Sequence, residues 1–184
     1  CIDGIPQLRW RDKDMPFAGS LEAATVPTPN PLSYDEILVA TGFALGFRWW
    51  EGGPETTGKW CQSSMDIGYL PCVLDAVTRH SGLGLEPLWY QGDMSGCEHE
   101  RLFARVMESI DAGNAVLCSP FGNLSVITGY EEDDRTLRVH QYGNREPARM
   151  SLKRISGPTY LVFLEQATTP SNSEPITLDA ATRE

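Results

Sequence analysis

The chain has 184 residues, 41% hydrophobic and 22% charged, which suits one domain around a single core. Its formal charge of −10 repels phosphate backbones and anionic headgroups, so the expected partners include neither nucleic acid nor a membrane. No apolar run approaches the roughly 20 residues needed to span a bilayer, and no leader of basic head, apolar stretch and small-residue cleavage site opens the chain. The five cysteines, Cys1, Cys61, Cys72, Cys97 and Cys118, are odd in number and form no Cys-x-x-Cys pair. This argues against a disulfide scaffold or zinc ribbon and predicts a reducing, cytoplasmic setting.

In chain order, Gly4 to Trp10 reads as folded sequence rather than as a tether, which disfavours Cys1 as a lipid-anchored residue. Residues 17–25 fit a short helix with Pro16 in its first turn, where a missing N–H costs nothing. Pro27, Pro29 and Pro31 force a loop. Ser33 and Glu36 have capping-box spacing and open a second helix, with Ile37, Leu38, Thr41, Ala44 and Leu45 on one face. Residues 48–71 hold glycines and tryptophans without a period, which predicts an irregular packed lobe. A third helix is expected over 72–80 with Val73, Leu74 and Val77 inward, stopped by Gly82 and Gly84. Leu85–Tyr90 reads as a strand.

The best-specified stretch is 95–142. Ser95 and Glu98 form a second capping box. Leu102, Phe103, Val106, Met107 and Ile110 recur at helical spacing, and Gly113 suits the C-terminal cap. Strands are predicted at 115–119, 124–130 and 136–141, the last two joined by the polar turn Glu131–Asp134. A final strand at 160–164 closes the sheet. The expected class is α+β, with helices packed on a small antiparallel sheet in one domain, 1–167. Residues 168–184 read as a polar linker followed by the start of a helix or a frayed tail.

The segment Met107–Leu117, followed by Val126-Ile127-Thr128-Gly129-Tyr130, resembles the bacteriocin-processing cysteine peptidases and the related N-terminal domain of the butirosin acyltransferase. The likeness runs over about residues 98–142 and extends more thinly to Lys13–Gly19 and Ser33–Phe47. It implies a papain-like fold, in which a cysteine heads the first long helix and the helix dipole favours its thiolate. A histidine at a strand start then takes the proton, and a residue on the next strand orients the imidazole. The chain departs from that pattern at both central positions. Met15 stands at or beside the nucleophile position, and a thioether has no ionisable proton. The histidine position falls near Leu124 or Ser125. His140, on the next strand, lies where the orienting residue belongs.

Other groups are candidates. Cys61, in an aromatic and polar loop, or Cys118, at a strand end, could pair with His140 as base. Against this, a lone cysteine at a strand end is commonly a small buried hydrophobe. Trp49, Trp50 and Trp60, with Gly52 and Gly53, could line a groove for an apolar or cationic ligand, or simply pack on the helices. Cys97 with His99, and Cys72 with His80, lack zinc-ligand spacing, and the acidic turn lacks the ligand spacing and glycine of a calcium loop. No metal or cofactor is expected. The leading expectation is a papain-like domain without thiol catalysis, acting as a binding or regulatory module for a small molecule or peptide. The alternatives are an active thiol hydrolase or acyltransferase using Cys61 or Cys118 with His140, and a plain structural domain.

Overall fold

A computed structural model describes residues 1–9, 15–42, 70–90, 95–119, 124–155 and 159–165. Among them are four α-helices and six strands, an α+β arrangement: α1 (Pro16–Thr25), α2 (Tyr34–Ala40), α3 (Leu70–Ser81), β1 (Gly84–Tyr90), α4 (Gly96–Asp111), β2 (Val116–Cys118), β3 (Ser125–Glu131), β4 (Thr136–His140), β5 (Ala148–Ser151) and β6 (Thr159–Glu165). The strands form one antiparallel sheet in the order β1-β6-β2-β3-β4-β5.

Local chemistry explains the helix ends. Both predicted capping boxes form: Ser33 accepts the Glu36 N–H and Ser95 that of Glu98, while each glutamate reaches back to its cap. Pro16 occupies the first turn of α1. Gly82 and Gly113 follow α3 and α4 at φ of 72° and 83°, a conformation that glycine enters without a Cβ clash.

Residues paired directly across antiparallel strands share a face. Glu86, Phe163, Val116 and Ile127 therefore lie on one face. That face receives α4, whose Leu102, Phe103, Val106 and Ile110 are buried. Each such side chain contributes about 2 kcal/mol relative to exposure. Arg105 stands over the Phe163 ring and pairs with Glu86 and Glu165. Pro87, Val162, Leu117, Val126 and His140 share the opposite face. Helix α1 packs against β2 and β3, and α3 against β1. Phe17, Ala18, Leu21, Ala23 and Ala24 of α1 are fully enclosed, so this helix is core almost all round.

A bulge interrupts β3 between Ile127 and Gly129. There Thr128 accepts the Ile2 N–H through its carbonyl, and Cys1 Sγ lies only 2.6 Å from where a Cβ on Gly129 would stand. The 1–9 segment is thus pinned across the sheet, with Ile2 and Leu8 in the core and the Leu8 carbonyl accepting the Gly143 N–H.

Three expectations change. The strand β6 does not close the sheet at an edge; it lies between β1 and β2. β5 was not foreseen, because it is only four residues long and only Met150 of them is buried. Helix α2 ends at Ala40, and of its expected inward face only Ile37 is buried; Ala44 and Leu45 lie outside the described residues. The predicted tryptophan lobe and the polar stretch 168–184 also lie outside them, except that Leu70 and Pro71 begin α3.

Candidate functional site

The head of α1 is where the protein concentrates polar contacts inside its core. Met15 occupies the N-cap, where serine, threonine, aspartate or asparagine would normally satisfy a helix N–H, and its side chain makes no cap bond. It is 9% exposed. Its own N–H donates to Tyr34 Oη at 3.0 Å, and Tyr142 Oη donates to the Pro16 carbonyl at 3.3 Å. One turn on, the buried Ser20 hydroxyl donates to the Leu124 carbonyl at 3.2 Å. Tyr142 also hydrogen-bonds Ser20, but burial dominates and pushes the phenol above its ordinary range. Leu124 immediately precedes β3 and Tyr142 follows β4 by two residues, so both stand at the same end of the sheet, beside the helix head. The first turn of a helix presents unpaired N–H groups and a partial positive charge. Here a neutral thioether and two phenols surround it.

Beside this head lies an open cavity of about 260 Å³ between Pro6–Arg9 and α1. Gly19 and Ala23 leave room on the helical wall, Glu22 adds a carboxylate, and Tyr142 borders it. Gln7 organises the opposite wall: its Nε2 donates to the Asn144 carbonyl at 3.1 Å and its Oε1 accepts from Arg9 Nε at 3.0 Å.

The structure does not bring Cys118 and His140 together, which corrects that pairing. Cys118 stands opposite Ser125, whereas His140 stands opposite the next residue, Val126. Successive side chains on a strand point to opposite faces, so the thiol and the imidazole lie on opposite sides of the sheet. Cys118 is fully buried, and burial pushes its thiol up to about 12. His140 is half-buried; burial, then the charge of Arg138, lowers its pKa below the ordinary histidine value. A buried neutral thiol facing away from a weakened base has no route to a thiolate. Cys61 and the candidate ligand-binding residues Trp49, Trp50 and Trp60 lie outside the described residues.

The other thiols have different settings. Cys1, Cys72 and Cys97 are free and exposed, and Cys97 Sγ lies 3.2 Å from Ser95 Oγ at the start of α4. Neither Cys97 with His99 nor Cys72 with His80 belongs to a convergent group of three or more His, Cys, Asp or Glu among the described residues. No described helix is long and apolar enough to cross a membrane. In the acidic turn, Arg149 pairs with Glu131 and Asp134, while Arg135, at φ 52°, reaches Glu100 on α4.

Tyr34, Ser20, Tyr142 and the Gln7–Arg9 pair were not legible as site residues. Tyr34 is the first residue of α2 and its partner is 19 residues upstream; Ser20 meets a carbonyl 104 residues away. One signal was present: a serine and a glycine among the apolar residues of a core helix need a reason to be buried. Compared with known family models, characterised proteins and solved structures, the chain matches none of them.

Proposed function

We propose that this chain is a papain-like domain that has no thiol chemistry and works as a binding or regulatory module for a small molecule or peptide. The observation that carries the reading is Met15 at the cap of a core helix, with the Leu124 backbone and Tyr142 beside the helix turn that follows. In a thiol enzyme of that fold the helix head stabilises a thiolate and a neighbouring imidazole takes its proton. Here the nucleophile position carries the Met15 thioether and the base position the Leu124 alkyl chain or the Ser125 hydroxyl, while Tyr142, a phenol held above its ordinary pKa by burial, borders the helix head. None of them supplies a nucleophile or a base near neutral pH. The internal hydrogen bonds hold the site rigid, which suits recognition rather than proton transfer. The register that separates Cys118 from His140 removes one route to an active alternative.

Native-state alkylation tests the reading. Iodoacetamide at pH 6, with each cysteine followed by peptide mass, should label none of the five fast, and Cys118 not at all while the protein stays folded. One thiol reacting far faster than a free cysteine at that pH, and slowed by His140→Ala, would establish a thiolate–imidazole pair and overturn the proposal.

A further inference from the structure

We infer that residues 1–9 form a strap that acid releases: a proton on His140 sets a second positive charge beside Arg138, on the face of the sheet that the strap crosses, and the strap lifts away. The inference is independent of the binding-module reading.

The strap has two moorings. At the first, the Ile2 N–H donates to the Thr128 carbonyl at 2.7 Å in the β3 bulge, and Cys1 Sγ takes the space that Gly129 leaves beside Arg138. At the second, the Leu8 carbonyl accepts the Gly143 N–H at 3.2 Å, and Gln7 Nε2 donates to the Asn144 carbonyl at 3.1 Å. Gly129 stands opposite Arg138, whereas Gly143 lies beyond the end of β4, so His140 falls between the two levels. Arg138 and His140 are two apart on one strand and therefore share a face. It is the face on which Cys1 rests over Gly129. Within the strap only Ile2 and Leu8 are buried. Few buried apolar contacts mark a segment that opens without the rest of the fold.

The charges around His140 oppose a proton there. Among the described residues, neither His140 nor Arg138 makes an ion pair. On β5, Arg149 stands opposite Arg138 and already takes Glu131 and Asp134. Asp3, the strap's one carboxylate, is exposed, and so is Arg9, which donates to Gln7. Glu22, across the cavity on α1, accepts the Tyr34 N–H. A charged His140 would thus have a cation as its strand neighbour. Burial, then Arg138, lowers its pKa below the ordinary value of 6.5, so the closed strap favours the neutral ring. The hold on the strap is full above that ordinary value. It weakens as pH falls from there, until pH has passed the lowered value. Pro6–Arg9 form one wall of the cavity beside α1, so release opens the cavity as well.

Amide hydrogen exchange followed by NMR on the full chain tests this. Between pH 7.5 and pH 5 the protection factors of the Ile2 and Gly143 amides should fall by about threefold or more, while those of β2 hold. The fall should begin near pH 6.5 and level off where the His140 ring itself titrates. His140→Gln should make both protection factors independent of pH, and Arg138→Gln should shrink the fall. If His140→Gln does not fold, the wild-type ring titration still decides. Flat protection in the wild type overturns the inference, as does a loss shared by β2 or one that persists in His140→Gln. A loss that continues below the His140 titration also overturns it, and would point to Asp3 instead.

Discussion

The Ser20 hydroxyl donates to the Leu124 carbonyl across 3.2 Å inside the core, joining the first helix to the head of β3. Ser20→Ala leaves a buried carbonyl without that donor and frees one partner of Tyr142. The expected cost is about 1–3 kcal/mol, read as a lower urea midpoint at unchanged slope. An unchanged midpoint would mean that water replaces the hydroxyl.

The capping boxes give a pH-dependent expectation. Hydrogen bonds from Ser95 to Glu98, and from Ser33 to Glu36, hold both carboxyls below their ordinary range. A depressed folded pKa stabilises the fold above the unfolded value, and the gain is lost as pH falls through the folded value. Wild type should therefore melt higher than Glu98→Gln at pH 7, with the gap closing below about pH 4. Ser95→Ala should cost about 1 kcal/mol at neutral pH.

At Cys118 the linkage runs the other way. Burial raises its thiol to about 12, so folded protein keeps it neutral while the unfolded chain ionises from its ordinary value near 9. Stability should fall as pH rises from 9 towards 12, and Cys118→Ala should flatten that alkaline loss in thermal melts. Native iodoacetamide at pH 8 should modify Cys72 and Cys97 while Cys118 reacts only on unfolding.

Gly129 tests how the 1–9 segment is seated. A Cβ there would stand 2.6 Å from Cys1 Sγ and 3.5 Å from Arg138 Cβ. Gly129→Ala should destabilise by about 1 kcal/mol, the low end for overpacking, because a side-chain tip can move aside. Adding Cys1→Ala removes the sulfur and should recover most of the loss in a double-mutant cycle. Additive losses would show that Cys1 does not rest on the bulge.

Local chemistry made most of the fold legible, and the site stayed hidden for the same reason. Ser33, Ser95, Pro16 and Gly113 act within one helical turn, so their effects can be read from neighbours in the chain. Leu102, Phe103, Val106 and Ile110 likewise announce a buried face by their spacing. Tyr142 and Gln7 give no such signal; each acquires a role only once distant segments meet. The mistaken expectation for Cys118 and His140 has the same root. β3 lies between the strands of Cys118 and His140, and a one-residue difference in register across it decides which side of the sheet each faces.

The central position of β6 has a consequence for synthesis. β1 is complete early, yet its hydrogen-bonding partner is the last described strand. While the chain emerges, β1 and its cover helix α3 must wait, apolar side chains exposed, until Thr159–Glu165 is released. Closing so distant a pair is slow, and the waiting intermediate exposes an unpaired strand. A nascent chain stalled before Thr159 would be a candidate for chaperone capture at β1, well away from the helix that carries Met15.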